Sequence, residues 1–322
     1  MIGDQCPVTS DRWPVRLCLA RTLVVLSLAF TLTGCAAENA RPQFEGEKAF
    51  AMLKRQCDFG PRPPGTAEHF KTRDFLLGEL KKHSDRVALQ SFNHAHSTSG
   101  EKLDMSNVIA SFGPTEGREI LLCAHWDTRP TADEELDAEK RRQPIIGAND
   151  GASGVAVLLE LARMFKVQPP KVPVTIVLFD GEDYGPTGDD MYLGAKYFAS
   201  KLEKPENVRY CILLDMVGDK DLNIYRERHS NGSAPEIVAK VWRAARKLGY
   251  GKFFIDEPKY AITDDHIPLI KRGIPCIDVI DFDYAYWHTH EDTVSRCGAE
   301  SLRIVGETVA EVVYSEQASP RD

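Results

Sequence analysis

Three acidic residues come directly after one apolar stretch of the sequence. The run Val174–Phe179 is mostly β-branched, aliphatic or aromatic, and Asp180, Glu182 and Asp183 come directly after it. Such a run is typical of a buried strand, and α/β proteins bind ligands at the carboxyl ends of these strands. Like charges this close are costly without compensation, so the pattern predicts a bound cation or a shared proton. A solvated acidic turn is the alternative, because Asp and Gly are common turn residues.

The same arrangement occurs after two other predicted strands. Residues 119–125 read as a strand that ends in His125, and Asp127 follows at a spacing that lets a carboxylate orient an imidazole. Residues 208–214 read as a further strand, which Asp215 follows directly. A lone residue of this kind has a structural role more often than a catalytic one. The recurrence favours one convergent site.

Asp150 lies where a predicted strand-to-helix turn opens onto an amphipathic helix over 152–165. A carboxylate there could cap the helix, which is a common role for Asp. It could equally join the other acids in the predicted site. The glycines around it do not form a dinucleotide-binding fingerprint.

The final segment with reactive side chains begins at Asp264, Asp265 and His266 and continues through a strand predicted over 274–280. His288 then follows the aromatic run Tyr284-Ala-Tyr-Trp287. A histidine behind aromatic residues is typical of a ligand that lines a pocket. A histidine in a surface loop is the alternative.

Elements that must position these residues are predicted from periodicity and from Gly and Pro punctuation. One helix runs from about Glu45 to the Gly- and Pro-rich stretch at 60–65, and another starts with Thr66 as its N-cap. Strands are predicted at 87–92, 107–112 and 253–255, and helices at 190–202, 235–248 and 299–314. Residues 131–144 are charged and read as a surface excursion. His94 and His96 read as part of an exposed hairpin connection, without a metal.

The first 34 residues are typical of an export signal. Three arginines precede the apolar run Thr22–Leu32, which is too short to span a bilayer. Leu32-Thr-Gly-Cys35 resembles a bacterial lipobox, which predicts lipidation of Cys35, although a plain signal peptide is the alternative. We therefore expect a signal peptide over 1–34, a tether over 35–44 and one catalytic domain over 45–322.

Composition sets outer limits on function. The chain has 322 residues, 43% of them hydrophobic, and a net charge of −8, and it carries no basic cluster that would suggest nucleic acid. Eight cysteines are present, of which five follow Cys35. An exported compartment permits a disulfide, and Cys57 with Cys297 is the pair we expect if one forms.

In type and order, the candidate residues resemble those of bacterial leucyl aminopeptidases and glutaminyl-peptide cyclotransferases, which share the zinc exopeptidase fold. The segments that carry this resemblance are His125-x-Asp127, Asn149-Asp150, Glu182-Asp183, Asp215 and His288. Asp264–Pro268 with Arg272–Pro275, and Trp287-His288-Thr289, favour the cyclases. The resemblance covers roughly residues 45–315 and implies a three-layer α/β sandwich, with helices on both faces of a mixed, mainly parallel central sheet.

The resemblance also implies two groups of metal ligands. In dinuclear aminopeptidases, the positions of His125, Asp150 and Asp215 would hold one metal, and those of Asp150, Asp183 and His288 a second. In the cyclases only the second group holds zinc, so one zinc per chain is favoured and two are the alternative. Asp183 stands where many relatives have Glu, which suits an oxygen ligand at about 2.0–2.2 Å.

The remaining roles also come from the resemblance. Glu182 would carry the proton, Asp215 and Asp265 would form a hydrogen-bonded network that tunes this transfer, and Asp127 would orient its neighbours. Animal cyclases have a Trp soon after the Glu-Asp pair, and this chain lacks it. Trp287 with Tyr184 or Tyr192 is expected to line the substrate pocket.

These roles imply an enzyme that converts the N-terminal Gln of peptides to pyroglutamate with release of ammonia. The alternative is an aminopeptidase, in which Glu182 would activate water. A binding protein without catalysis ranks third, because every candidate ligand and the base are present. The expected partners are peptide N-termini, with no nucleic acid and with membrane contact only through a lipid anchor. The expected location is the cell envelope, with a periplasmic or secreted protein as the alternative.

Overall fold

The computed structural model describes residues 41–318. Its eight strands, in chain order, are β1 Val87–Ala95, β2 Lys102–Phe112, β3 Glu119–His125, β4 Val174–Phe179, β5 Val208–Asp215, β6 Ile224–Arg226, β7 Phe254–Pro258 and β8 Cys276–Ile280. Its eight α-helices are α1 Gly46–Cys57, α2 Ala67–Lys81, α3 Ala152–Val167, α4 Leu193–Lys201, α5 Arg228–Ser233, α6 Pro235–Lys247, α7 His266–Lys271 and α8 Ala299–Ser315. Residues 1–40, including the predicted signal peptide and Cys35, lie outside the described part.

Six strands form the main sheet in the order β1-β2-β4-β3-β5-β8. The neighbours β4, β3, β5 and β8 run parallel to one another, whereas β2 is antiparallel to both β1 and β4. Strands β6 and β7 form a separate parallel pair. The four parallel strands therefore present their carboxyl ends along a single edge of the sheet.

Helices cover both faces of this sheet. Helices α1, α3, α6 and α8 enclose the larger core, which includes Leu53, Val155 and Val309. Helices α4 and α7 cover the opposite face through a second core that includes Phe198 and Leu269. Cover on both sides explains why every residue of β4 is buried and why its sequence is apolar without alternation. The predicted three-layer α/β fold is confirmed.

Most predicted elements agree with the structure, and the differences are local. Thr66 caps α2 as predicted, with its hydroxyl accepting a hydrogen bond from the His69 amide at 3.2 Å. The helix predicted over 190–202 begins later, at Leu193. Within 131–144, the only regular structure is a short 3-10 turn over Lys140–Arg142.

The interpretation of His94 and His96 as part of an exposed hairpin connection is confirmed in part, because His96 lies in the connection between β1 and β2, whereas His94 belongs to β1 and both residues are half-buried. Strand β1 continues through His94, and the His94 Nε2 atom lies 2.7 Å from Oδ1 of the fully buried Asp190. Asp190 also accepts a hydrogen bond from the Ser97 amide at 2.9 Å. The tip of the β1–β2 hairpin is thus fastened to the loop that precedes α4.

Cys57 and Cys297 do not form the expected disulfide. Both are free, buried thiols, and burial raises the pKa of Cys57 to about 11. Each fills a place in the larger hydrophobic core, as small apolar residues do. Within residues 41–318, no helix is long and apolar enough to cross a membrane.

Candidate active site

The parallel strands bring the predicted residues together in one cavity of about 450 Å³. Strand β3 ends in His125, the turn after β4 carries Glu182 and Asp183, and β5 ends in Asp215. Asp150 arrives from the turn before α3, and His288 from the loop after β8. Five of these residues line the cavity directly, namely Asp150, Glu182, Asp183, Asp215 and His288. The carboxyl edge of the sheet is therefore a concentrated acidic site.

One group of possible metal ligands consists of Asp150, Asp183 and His288. The His288 Nε2 atom lies 3.4 Å from Asp183 Oδ1 and 3.6 Å from Asp150 Oδ2, and one donor atom of each residue lies within 4.8 Å of the others. All three residues are buried. Asp183 Oδ2 is buried with no hydrogen-bond partner among the described residues. An unpaired buried carboxylate oxygen is costly, so this group fits a bound cation.

A second group consists of His125, Asp150 and Asp215. The His125 Nε2 atom lies 3.1 Å from Asp215 Oδ1 and 3.2 Å from Asp150 Oδ1. The two carboxylate oxygens of Asp150 thus face different histidines. Burial lowers the pKa of His125, but the carboxylates of Asp127, Asp150 and Asp215 together raise it well above its usual value.

Asp127 holds the backbone of the turn that carries Glu182 and Asp183. Its Oδ1 accepts a hydrogen bond from the Glu182 amide at 3.1 Å, and its Oδ2 accepts one from the Asp183 amide at 3.2 Å. Its Oδ1 lies 3.7 Å from His125 Nδ1. One buried carboxylate therefore fixes the turn that presents both reactive acids, and it also lies beside the imidazole.

Glu182 has the environment of a proton carrier. Burial raises its pKa well above the usual value, and the nearby negative charge of Asp183 raises it further. Its Oε2 lies 3.9 Å from His125 Nδ1, which is too far for a hydrogen bond. A carboxyl group with a raised pKa holds a proton more readily than an ordinary carboxylate does, as a group that both accepts and releases a proton requires.

The predicted hydrogen-bonded network of Asp215 and Asp265 is not formed. Asp215 faces His125, whereas neither carboxylate oxygen of Asp265 has a hydrogen-bond partner among residues 41–318. Burial and the adjacent Asp264 raise the pKa of Asp265 well above its usual value. Asp264, rather than Asp265, lines the cavity, and burial raises its pKa to about 7.

The aromatic residues divide between two places. Trp287 and Tyr192 line the cavity as expected, and the Trp287 ring stacks on His288 with centroids 3.9 Å apart. Tyr184 does not line it. Its ring packs against His96 and the small apolar cluster around Met105, because the backbone directs it toward the β1–β2 hairpin.

Two residues that the sequence did not single out support the metal-ligand groups. The Arg129 Nη1 atom donates to Asp183 Oδ1 at 2.7 Å, and the Arg129 side chain is buried. Asp292 accepts hydrogen bonds from the amides of Asn149 at 2.8 Å and Asp150 at 3.1 Å. Arg129 lies close to Asp127 in the sequence, and Asp292 lies close to His288. This proximity does not indicate that they contact Asp183 and Asp150.

A family model described as peptidase family M28 matches residues 107–313, which include every candidate ligand. The chain belongs to peptidase family M28. A Zn-dependent exopeptidase from Parabacteroides distasonis is 41% identical, with 86% of this chain and 100% of that chain covered and a TM-score of 0.83. Glutaminyl cyclase from Tannerella forsythia is also 41% identical, with the same coverage and a TM-score of 0.82. Glutaminyl-peptide cyclotransferase of Drosophila melanogaster is 28% identical over 264 residues, which cover 73% of this chain and 71% of that protein.

The M28 chain has a ligand set that suits zinc. Zinc is held in proteins by histidine nitrogen and carboxylate oxygen, commonly three protein ligands at a catalytic site. Asp150, Asp183 and His288 supply these donors, and the unpaired Asp183 Oδ2 supplies a free acceptor. The resemblance to glutaminyl cyclases within the zinc exopeptidase fold, which the sequence predicts, is confirmed.

Proposed function

We propose that this M28 chain is a zinc-dependent glutaminyl-peptide cyclotransferase that holds one zinc, at Asp150, Asp183 and His288. The observation that carries the proposal is the difference between the two ligand groups. His125 Nε2 is already engaged by both Asp150 and Asp215, whereas Asp183 keeps an unpaired buried oxygen. A single cation thus satisfies the group that needs one.

The cavity suits one amino-acid side chain of intermediate polarity. Trp287, Tyr192, Ile262 and Phe282 provide apolar and aromatic wall, and the acids lie at one place within it. A binding pocket of this kind uses apolar surface for affinity and a few polar groups for orientation. The extended carboxamide of an N-terminal Gln fits such a pocket better than a negatively charged side chain does.

Glu182 performs the proton transfers of the proposed reaction. A zinc ion held by Asp150, Asp183 and His288 would supply a Lewis acid for the γ-carboxamide carbonyl. Glu182 accepts a proton from the α-amine as the new N–C bond forms, and it donates that proton to the leaving nitrogen as the carboxamide C–N bond breaks and ammonia departs. Because the ring closure is intramolecular, the walls of the cavity contribute by holding amine and carboxamide together.

An aminopeptidase is the second candidate, and one observation favours it. The two oxygens of Asp150 face His125 and His288 separately, as those of a carboxylate shared by two metals would. In that case His125, Asp150 and Asp215 would hold a second zinc, and Glu182 would take its proton from a water molecule. Both reactions need the same Glu182.

Metal content and paired assays distinguish the two enzymes. Purified residues 36–322 are analysed for zinc per chain and assayed with a Gln-initiated peptide and with a leucyl amide. We expect one zinc and ammonia from the Gln peptide. Two zincs per chain, with leucyl-amide hydrolysis and no ammonia, would establish the aminopeptidase instead. The variant His125→Ala keeps one zinc in the cyclase, whereas it lowers the zinc content from two to one in the aminopeptidase.

We also propose, from the sequence, that the protein is exported and anchored through a lipid on Cys35. The support is the Leu32-Thr-Gly-Cys35 segment after a short apolar run. The anchored catalytic domain would act on peptide N-termini in the cell envelope.

A further inference from the structure

A second groove on the surface adjoins the active-site cavity. Its volume is about 540 Å³, and it lies between α4 and α7, on the face of the sheet that these two helices cover. Tyr192 and Thr263 line both the groove and the active-site cavity. A chain that leaves the cavity past these two residues enters the groove directly.

The groove joins an apolar wall to a cluster of positive charge. Ile267 and Pro268 are half-buried and supply the apolar part. Lys196, Lys271 and Arg272 also line the groove and are all exposed. The only acidic residue among its lining side chains, within the described part of the chain, is Asp189. This local excess of positive charge contrasts with the net charge of −8 for the whole chain.

Contacts within the protein hold two of these cations beside the groove. The Lys196 Nζ atom donates to the Gly188 carbonyl at 2.5 Å and lies 5.8 Å from the centre of the Tyr192 ring. The Arg272 Nη2 atom donates to the Leu202 carbonyl at 2.8 Å. Both bonds are to neutral carbonyls, which do not cancel the positive charges.

Lys196 and Lys271 line the same groove, and the positive charge of one acts on the other. Partial burial lowers the pKa of Lys196, and the charge of Lys271 lowers it further, whereas the charges of Asp189, Asp190 and Asp265 oppose this shift. A negative side chain placed between the two ammonium groups would relieve the repulsion between them. The electrostatics of the groove therefore favour an acidic ligand.

We propose that the groove binds the residues that follow the first residue of the substrate peptide and prefers acidic side chains there. This proposal rests on the proposed function for the entry of a peptide N-terminus into the active-site cavity. The continuous lining at Tyr192 and Thr263 carries the peptide from one site to the other. The apolar wall holds the peptide backbone, and the cations select its charge.

Matched peptides test the preference. Two Gln-initiated peptides of equal length carry either two Glu or two Lys residues at the third and fourth positions, and kcat/KM is measured for each from ammonia release. We expect about a fivefold preference for the acidic peptide, carried mainly by KM, because exposed charge pairs contribute modestly. The preference should shrink as the salt concentration rises. Equal kcat/KM values for the two peptides would overturn the proposal.

Charge reversal identifies the groove as the origin of the preference. The double variant Lys271→Glu with Arg272→Glu changes exposed side chains, and we expect it to prefer the basic peptide while its zinc content stays unchanged. The control is Lys54→Glu, which changes an exposed lysine on α1, on the opposite face of the sheet, and should keep the acidic preference. A preference that survives the double variant would show that another surface sets it.

A binding measurement separates this proposal from the catalytic one. The anisotropy of fluorescent acidic and basic peptides is recorded with the wild-type chain and with both variants. Tighter binding of the acidic peptide, lost on charge reversal, supports the groove even if no ammonia is released. Ammonia release without any difference in binding or kcat/KM would support the cyclase and refute the groove.

Discussion

Replacing Asp127 by Asn should loosen the turn that presents Glu182 and Asp183. Each oxygen of the buried Asp127 carboxylate accepts one backbone amide, at 3.1 Å and 3.2 Å. An Asn side chain has one acceptor oxygen, so one amide loses its partner and faces an NH₂ group instead. A hydrogen bond to a charged acceptor contributes about 1.5–3 kcal/mol, and an unpaired buried amide adds to the loss. We therefore expect Asp127→Asn to destabilise the fold by about 3 kcal/mol.

Calorimetry and kinetics measure the two consequences of this change. In a domain of this size, a loss of about 3 kcal/mol lowers Tm by roughly 6 °C. Both proteins are unfolded in the presence of a chelator, so that bound zinc does not contribute. With zinc restored, kcat should fall by roughly 100-fold, because a small displacement of reacting groups has effects of this size.

Asp137→Asn is the matched control for Asp127→Asn. Asp137 also accepts two backbone amides, from Glu139 at 2.8 Å and Lys140 at 3.2 Å, but it is exposed and accepts both through one oxygen. Because Asp137 is exposed, water can accept any backbone hydrogen bond that Asn does not. Tm and kcat of Asp137→Asn should therefore stay close to wild type. A Tm and kcat for Asp127→Asn that match this control would refute the positioning role of Asp127.

Four further changes test other parts of the protein. Glu182→Gln should keep zinc but lose about 10²–10⁴-fold in kcat, whereas Asp183→Ala should lose the zinc itself. Metal analysis and turnover measurements of both variants check these expectations. Loss of zinc from Glu182→Gln would show that the two roles are assigned the wrong way round. Gly154→Ala should cost about 1–3 kcal/mol, because its Cβ would lie 2.2 Å from the Leu214 carbonyl oxygen. Its control Gly78→Ala, with open space around the helix α2 position, should gain about 0.5–1 kcal/mol in denaturant unfolding. Cys35→Ala should move the protein from the membrane to the soluble fraction, and unchanged partitioning would contradict lipidation.

Elements with strong periodicity could be predicted from the sequence. Strands β3 and β4 have the bounds expected from their apolar runs, and α3 and α8 differ from expectation by at most two residues. These segments bury continuous apolar surface, so the residues themselves carry the pattern. Helices α5 and α7 have six residues each, which is too short for a helical period to stand out.

Contacts between distant segments could not be predicted in this way. The direction of a side chain such as Tyr184 depends on the backbone of the turn that carries it. Arg129 reaches Asp183 across a separation of 54 residues, and Asp292 reaches the amide of Asp150 across 142. No local pattern records such pairs. The chemical types at the site were readable from the sequence, whereas the groups that orient them required the fold.

Unusual backbone conformations concentrate around the same cavity. In the described part of the chain, three residues other than glycine have positive φ angles: Tyr192 at 58°, Met216 at 46° and His288 at 54°. All three line the active-site cavity. The left-handed region costs a residue with a Cβ roughly 1–2 kcal/mol, which surrounding packing must offset.

The packing that offsets this cost lies beside the cavity. Met216 is almost fully buried against Ile280 and Tyr284, and the Trp287 ring stacks on His288. Three residues with left-handed backbone thus lie where the candidate metal ligands converge. Stability gained elsewhere in the fold offsets their cost and fixes the direction of a few side chains. At His288, the residue with the left-handed conformation also carries an imidazole whose Nε2 atom lies 3.4 Å from Asp183 Oδ1. Strain at these positions therefore belongs to the construction of the site, and it explains why the strand ends alone do not determine its geometry.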